Sequence, residues 1–360
     1  MTLNRRTVLR TVLGIAISGV AIWILARTVD LPRTVDVLRT ANPAWILLML
    51  GTVFLDVAAR GGRWHALLLP IKRLPYRRVL AYTYLGYLAN NVLPARLGEL
   101  VRSHALGEGE GVSRPTVLGT VVVERIVDTV IVVGLAALAV VILGVGGTMS
   151  TAVLLGAGFV GVLVVGLLIA MVSHRLPGAE RVTTAAERYP RVLELARRLR
   201  AGLAVAGKPK TLARALLLSA AAWAASIATF IAGGQAVGIE LSVSQAALLC
   251  SGVALATIVP SAPGYVGTFE LTAVSIAGIF GADPDAAFAM ALLVHAMILA
   301  VTSAGGVIAA VRLGVGLDAG TEADDAMTVD AALRDGASRQ EAGAAPGTVS
   351  PNSGRDAPSG

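Results

Sequence analysis

Long apolar runs, separated by short polar segments, dominate this chain. A helix needs about 20 consecutive apolar residues to cross a bilayer, and six runs approach that length. They lie at about 11–26, 43–59, 129–143 with the residues just before it, 151–172, 212–237 and 285–311. Two further apolar segments, 79–93 and 243–280, are short or are interrupted by proline and glycine. The pattern predicts an all-α polytopic membrane protein with eight hydrophobic segments.

The first apolar run follows a basic stretch, NRRTVLR at 4–10. Cleaved signal peptides have the same arrangement. An uncleaved first helix is favoured, because the run is long, lacks a clear small-x-small cleavage site and is followed by more membrane segments. Residues 27–42 are predicted to form a loop of mixed charge.

Positive charge sets the predicted topology, because the cytoplasmic loops of membrane proteins are enriched in Lys and Arg. Residues 60–78 carry six Lys and Arg and no acid, and residues 174–214 carry ten against three Glu. Both segments are predicted to be cytoplasmic, as are the two termini. Segment 79–93 then begins and ends on the cytoplasmic side, and 243–280 begins and ends outside. We therefore predict six spanning helices plus two re-entrant helical hairpins that enter from opposite faces.

Composition agrees with a membrane protein and limits its partners. The 360 residues are 55% hydrophobic and 15% charged, whereas soluble domains are about a quarter charged. The net charge is +7, although the residues from Asp318 onward hold eight acids and three arginines. This distribution indicates membrane topology and contact with anionic lipids rather than nucleic-acid binding.

We divide the chain into three parts. Residues 1–10 form a cytoplasmic N-terminus, residues 11–312 a transmembrane domain, and residues 313–360 a disordered acidic cytoplasmic tail. The single cysteine, Cys250, excludes a disulfide framework and a cysteine-based metal site. No cofactor or metal is expected.

The two interrupted segments, NNVLPARLGELVR at 90–102 and VPSAPGYVGTFE at 259–270, each contain a proline, a glycine four residues later and then a glutamate. The matching positions are Pro94, Gly98, Glu99 and Pro263, Gly267, Glu270. Irregular backbone within a bilayer is tolerated where it is buried in protein or lines a cavity. Paired breaks in two halves of a chain indicate a transport site at the interface of an inverted repeat. A kinked helix end with arginines that reach the interface is the alternative.

The chemistry of the breaks favours a phosphate headgroup. Each break begins a new half-helix, whose first N–H groups are unpaired and carry partial positive charge. Arg96 and Arg102 would add charge-assisted bonds. Glycines, Gly264 among them, would allow close approach of the backbone. Asn90 would either cap the new helix or bond the headgroup.

Another group of charges lies inside the apolar span VVVERIVDTVIVV. Glu124 and Asp128 are one turn apart on one helix face, and Arg125 lies about 100° from Glu124 around the axis. Partners on other helices, Arg96 or Arg102, are therefore expected. Ionisable groups inside a membrane segment indicate a functional site. A structural set of salt bridges is the alternative.

Two weaker signals receive structural interpretations. Asp56 and Arg60 are four residues apart near the end of the second span and are predicted to form an ion pair. His295 lies alone in the last span. It is predicted to be hydrogen-bonded rather than to relay protons.

The motifs NNVLPARLGELVR, VVVERIVD and PSAPGYVGTFE, in this order, resemble the flippase-like transmembrane domain of lysylphosphatidylglycerol synthases. The resemblance covers about residues 10–312 and implies a polytopic inner-membrane protein. In bifunctional relatives this domain moves aminoacylated phospholipid between leaflets, while a separate soluble domain transfers the amino acid. The headgroup or cavity residues that the resemblance implies are Asn90, Pro94, Arg96, Gly98, Glu99, Arg102, Glu124, Arg125, Asp128, Pro263, Gly264, Gly267 and Glu270.

Fewer than 50 residues follow Arg312, so no aminoacyltransferase domain is expected. We predict that the chain is not an enzyme but a translocase for a phospholipid or a polyprenyl-phosphate-linked lipid. No GxxxxGK[ST] motif for ATP is present. The alternatives are an integral-membrane lipid-phosphate transferase with Glu124 or Asp128 as general base, and a scaffold for a partner enzyme that modifies lipids.

Overall fold

The computed structural model describes residues 5–93, 97–147, 151, 156, 158, 197–198, 201–258 and 261–314. The helices of the first half are α1 (Arg5–Thr28), α2 (Leu31–Arg39), α3 (Pro43–Leu68), α4 (Tyr76–Val92), α5 (Gly98–Gly109) and α6 (Arg114–Leu143). Those of the second half are α7 (Pro209–Ala236), α8 (Val243–Ala256), α9 (Thr268–Ile279) and α10 (Pro284–Leu313). Short 3₁₀ turns occupy Ala204–Gly207 and Pro263–Tyr265.

The prediction of an all-α polytopic membrane protein is confirmed. Within the described ranges, α3, α6, α7 and α10 are long and apolar enough to span a membrane. Helices α1 and α2, bent by 84° at their junction, add a fifth span if they are taken together. The predicted span at 151–172 and the tail beyond residue 314 lie almost wholly outside the described residues.

Local sequence signals fix the ends of the long helices. Asn42 Oδ1 accepts a hydrogen bond from the Ala44 N–H at 3.0 Å, and Asp283 Oδ2 accepts one from Ala286 at 3.1 Å. Each of these caps is followed by proline in the first helical turn, where its missing N–H costs nothing. Gly144 ends α6 with φ +63°, a left-handed conformation that suits glycine.

Two of the predicted element bounds are wrong. Residues 27–42 were expected to form a loop, but α2 occupies Leu31–Arg39, because the Asp30 side chain caps its first turn. The second span was expected to end near residue 59, with a cytoplasmic loop from 60 to 78. Instead α3 continues to Leu68. Arg60 and Arg63 therefore lie inside a membrane helix, where Asp56 of the same helix and acids of α6 neutralise them.

The two interrupted segments form two helix–break–helix units. In the first, α4 and α5 pack against each other, and in the second α8 packs against α9. Each unit places one arm on α6 and the other on α10: α5 and α8 contact α6, and α4 and α9 contact α10. The breaks themselves meet, since a Cβ added at Gly264 would lie 3.7 Å from the Asn91 carbonyl oxygen. Re-entry and inverted symmetry stay predictions.

The main apolar core lies among α3, α6, α7, α8, α9 and α10. Its buried members include Met49 of α3, Leu249 of α8 and Met290 of α10. A second cluster around Trp64 and Leu106 joins α3 and α6 to α4 and α5. The polar residues of the breaks are thus held between two packed apolar regions.

Gly306→Ala is expected to lower the thermal stability of the protein. A Cβ at Gly306 would lie 2.4 Å from Leu88 Cβ and 2.8 Å from the Tyr84 carbonyl oxygen. Helices α4 and α10 would have to separate, and overpacking of this kind costs about 1–3 kcal/mol. Thermal unfolding of the purified protein in detergent measures the effect. Gly134→Ala is the control, because nothing lies within 4 Å of that position. Equal melting temperatures for the two variants would contradict the packing described here.

Candidate functional site

A cavity of about 340 Å³ lies where the two helix–break–helix units meet α3, α6, α7 and α10. Its volume is within the range of about 300–1,000 Å³ that small-molecule sites have. Charged side chains and amides line one part of it: Asp56, Arg60, Asn90, Asn91, Glu99, Arg125 and Asp128. Apolar side chains line the remainder, among them Val132, Leu255, Ile258 and Leu299.

Arg63, on α3, is wholly buried beside this cavity, with 0% of its side chain exposed. Its Nη1 donates to Asp128 Oδ1 at 2.5 Å and to Ser219 Oγ at 3.1 Å. Its Nη2 donates to Glu124 Oε1 at 2.6 Å and to Asp128 Oδ2 at 2.9 Å. One guanidinium thus joins α3, α6 and α7. It supplies the positive charge that lets two carboxylates share a helix face.

Arg102 completes the pairing of Glu124 from the other side. Arg102 Nη2 donates to Glu124 Oε2 at 2.9 Å, and its guanidinium lies 4.5 Å from the centroid of the Trp64 ring. Trp64 is held in turn by Thr120, whose hydroxyl accepts from Nε1 at 3.1 Å. Arg102 and Glu124 are buried and lie behind the residues that line the cavity.

Asp56 and Arg60 form the predicted ion pair, and they form it on the cavity wall. Arg60 Nε donates to both carboxylate oxygens of Asp56, at 2.9 and 3.0 Å. The Ser226 hydroxyl donates to Asp56 Oδ1 at 2.9 Å. The guanidinium of Arg60 also lies 5.0 Å from the Trp223 ring centroid and 3.7 Å from Asp128 Oδ2. The pair therefore belongs to the site.

Arg125 is held more loosely than the other arginines of the site. Its side chain is 46% exposed. Its nitrogens lie 3.4 Å from Asp128 Oδ2, 3.6 Å from Glu124 Oε1 and 3.7 Å from Glu99 Oε1. These separations exceed the roughly 2.7–3.2 Å of N–H···O hydrogen bonds. Arg125 is thus attracted to three acids and retains donors for a ligand.

At the first break, the amide of Asn90 caps the helix that follows. Asn90 Oδ1 accepts a hydrogen bond from the Gly98 N–H at 2.8 Å, and Asn90 also lines the cavity. Gly98 permits close contact between helices, since a Cβ there would lie 2.0 Å from the Gly86 carbonyl oxygen. Pro94 and Arg96 fall outside the described residues.

At the second break, Pro263 begins a short turn, and Gly264 and Gly267 have φ of +67° and +86°. Glu270 then closes the start of α9, because its Oε2 accepts from the Gly267 N–H at 2.7 Å. Its other oxygen, Oε1, lies 2.6 Å from His295 Nδ1 on α10. His295, rather than Glu270, lines the cavity.

The structure therefore brings four of the predicted residues to the cavity wall: Asn90, Glu99, Arg125 and Asp128. It places Glu124, Arg102 and Glu270 directly behind the wall, each bonded to another side chain. The N–H groups of Gly98 and Gly267, which were expected to face a headgroup, are bonded to protein side chains.

The sequence pattern gave no role to Arg63, and it placed Arg60 in a structural ion pair near the membrane interface, at the start of a predicted loop. A signal for both was present: Asp56, Arg60 and Arg63 are spaced by four and three residues, so they share one face if the helix continues. Glu124 and Asp128, four residues apart, likewise share one face of α6. The charges on these two helix faces are complementary. The assumption that a basic run forms a loop concealed this match.

In chemical terms, the cavity offers two arginines, three carboxylates and several neutral hydrogen-bonding groups beside an apolar wall. Arg60 and Arg125 can donate bidentate hydrogen bonds to an oxyanion. Over the part of the chain that the structure covers, no three side chains of His, Cys, Asp or Glu assemble as a metal site. The walls thus combine charged, neutral polar and apolar surfaces in one cavity.

Comparison with curated proteins identifies a similar chain, named Glycosyltransferase AglD, from Haloferax volcanii. The two are 26% identical over 358 aligned residues, which cover 86% of this chain and 55% of the relative. The chain thus spans about half the length of the protein that it matches. This relative contradicts the prediction that the chain is not an enzyme, because its name is that of an enzyme.

A family model described as the lysylphosphatidylglycerol synthase TM region matches residues 11–306. This range contains every helix from α2 to α9, both breaks and all the charged residues of the cavity. The predicted family is therefore confirmed. The match and the apolar helices together make the chain a multi-pass membrane protein of the lysylphosphatidylglycerol synthase TM region family.

Proposed function

We propose that the cavity binds the phosphate-bearing headgroup of a membrane lipid and that the protein moves this lipid between leaflets. The observation that carries the proposal is the position of Arg60 and Arg125 at a cavity formed by two interrupted helices. Family membership supports a lipid-related role in the membrane. A phospholipid and a polyprenyl-phosphate-linked lipid offer the same phosphate chemistry, and both are candidates.

Arg125 is the residue that we assign to first contact with the phosphate. Its three acidic neighbours lie 3.4–3.7 Å away, and a phosphate oxygen would approach to about 2.7–2.9 Å in a charge-assisted bond. Arg125 can therefore exchange weak contacts for stronger ones without unfolding its surroundings. Arg60 lies across Asp128 and can close on the same phosphate.

Arg63 and Arg102 have a different role in this proposal. Both are buried, and their hydrogen bonds to Glu124 and Asp128 already lie between 2.5 and 2.9 Å. Taking either from its carboxylate would leave an unpaired charge in a membrane interior, which is strongly unfavourable. They hold α3, α5 and α6 in place so that Arg60 and Arg125 face the cavity.

The apolar part of the cavity suits the lipid tail. Leu255 and Ile258 at the end of α8, with Leu299 on α10, continue the wall away from the charges. A tail can stay in the hydrocarbon region while the headgroup crosses in the polar part. Rocking of the two helix–break–helix units on α6 and α10 would then open the cavity to one leaflet at a time.

The orientation that we propose places the C-terminal end of α3 and the start of α7 in the cytoplasm. Ile71 and Leu203 belong to one apolar cluster, so the segments that follow α3 and precede α7 lie together. Lys72, Arg73 and Lys208 are exposed on these segments. Positive charge of this kind marks the cytoplasmic side. We also propose cytoplasmic termini and an inner-membrane location.

Reconstitution into liposomes tests the proposed transport. Wild-type protein is expected to move fluorescent phosphatidylglycerol or a fluorescent polyprenyl phosphate between leaflets. The lipid that is moved faster is the preferred substrate. Arg125→Ala is expected to slow transport about tenfold or more, because each lost charge-assisted bond is worth about 1.5–3 kcal/mol. Arg73→Ala, which removes an exposed arginine, is the matched control. Wild-type liposomes that move neither lipid would refute the proposal.

A stability measurement separates the two groups of arginines. Arg63→Met is expected to destabilise the protein by about 3–5 kcal/mol, because it removes the buried guanidinium that bonds both Glu124 and Asp128. Arg125→Ala is expected to change stability by less than about 1 kcal/mol, since its contacts are long and half-exposed. Thermal unfolding in detergent compares the variants. A larger loss from Arg125→Ala than from Arg63→Met would reverse the assignment of roles.

Glycosyl transfer involving a lipid phosphate is the second candidate function, and the named relative favours it. Glu124 and Asp128 are poor candidates for its general base, because arginines occupy their oxygens. The test incubates purified protein with polyprenyl phosphate and a set of nucleotide sugars. A glycosylated lipid, detected by mass spectrometry and lost in Arg125→Ala, would support transfer at this cavity. Its absence, with transport intact, would favour translocation.

A further inference from the structure

We infer that His295 is a further headgroup-binding residue, with Glu270 as its positioning partner. This inference rests on the proposed phosphate site and names a second side chain for the same ligand. His295 lies on α10 and lines the cavity together with Phe269 and Ile298. No sequence motif of the chain includes it.

The first observation is a hydrogen-bonded chain that runs from the second break to the imidazole. The Gly267 N–H donates to Glu270 Oε2 at 2.7 Å, and Glu270 Oε1 lies 2.6 Å from His295 Nδ1. Both side chains are buried, with 5% of His295 and 6% of Glu270 exposed. Glu270 thereby fixes which ring nitrogen faces the protein. Nε2 is the nitrogen left for the cavity.

Aromatic packing fixes the plane of the ring as well. His295 stacks on Phe269 with centroids 4.2 Å apart and planes 11° apart, and Phe269 stacks on Phe230 at 6.2 Å and 12°. A ring held on one face by stacking and at one nitrogen by a carboxylate has little freedom to turn. Preorganised donors of this kind bind ligands at a lower entropic cost.

Charge supplies the reason to expect an anion. A buried carboxylate is strongly unfavourable without a cationic partner. Within the described ranges, the His295 imidazole is the side chain beside Glu270 that can carry positive charge, and it does so when protonated. A protonated imidazole has two N–H donors. One donates to Glu270, and the other can donate to a phosphate oxygen at the cavity surface.

Other histidines of the chain have different surroundings and provide a control. His65 Nε2 lies 2.9 Å from the Leu74 carbonyl oxygen, and His104 Nε2 lies 3.1 Å from Glu108. Neither is part of the cavity lining. His65→Gln is therefore the matched control for His295→Gln, since it makes the same chemical change away from the site.

The binding experiment uses detergent-purified protein and short-chain lipids. Calorimetry compares dihexanoyl phosphatidylglycerol, geranyl phosphate and phosphate-free dihexanoylglycerol. His295→Gln is expected to weaken binding of the preferred phosphate lipid about tenfold or more, as loss of a charge-assisted bond implies. It is expected to leave dihexanoylglycerol binding unchanged, and His65→Gln is expected to match wild type throughout.

A spectroscopic readout on the wild type removes the dependence on variant folding. In ¹⁵N-histidine NMR spectra, the His295 signals, assigned by selective labelling, are expected to show an Nε2 shift on addition of the phosphate lipid and none with dihexanoylglycerol. An unchanged Nε2 signal, or equal phosphate-lipid affinity for His295→Gln and wild type, overturns the inference and leaves the Arg60 and Arg125 site standing. Wild-type protein that binds neither phosphate lipid overturns the proposed function and this inference together.

Discussion

The buried guanidinium of Arg63, bonded at once to Glu124 and Asp128, is the interaction on which the rest of the structure depends. Glu124 and Asp128 lie on one face of a membrane helix, where they repel each other and lose hydration. The guanidinium of Arg63, on α3, compensates both effects. Because Ser219 and Trp223 of α7 bond to the same group of atoms, three long helices are held in one register.

In this arrangement the arginines differ in how tightly acids bind them and in how exposed they are. Arg63 and Arg102 have short bonds to acids in places without solvent, so their charge serves the fold. Arg125, one residue after Glu124, projects to the cavity with longer contacts. Adjacent positions on a helix differ by about 100°, and that rotation separates a buried carboxylate from a partly exposed guanidinium. A cavity with an available cation can therefore exist in a region where most charges are neutralised.

The two breaks position side chains around the cavity, whereas their own backbone N–H groups are bonded to protein side chains. Asn90 bonds the first N–H of α5, and Glu270 bonds the N–H of Gly267 just before α9, so these backbone groups are satisfied where the helices are interrupted. The same capping brings Asn90 to the cavity and holds His295 through Glu270. Proline and glycine stop the helices, and the capping side chains then help to determine which groups line the cavity.

The sequence by itself determined the fold class and most of the charges of the site. Apolar length gave the spans, and proline and glycine gave the breaks, because both depend on local composition. The C-terminal end of α3, the burial of Arg63 and the division between Arg102 and Arg125 were decided only by the tertiary structure. A basic run is a loop or a helix according to whether acids on another helix face it, and that pairing is a contact between distant residues. Local sequence patterns do not show which distant residues come into contact. Arg60 and His295 are therefore recognised as site residues only from the packing of α3, α6 and α10 around one cavity.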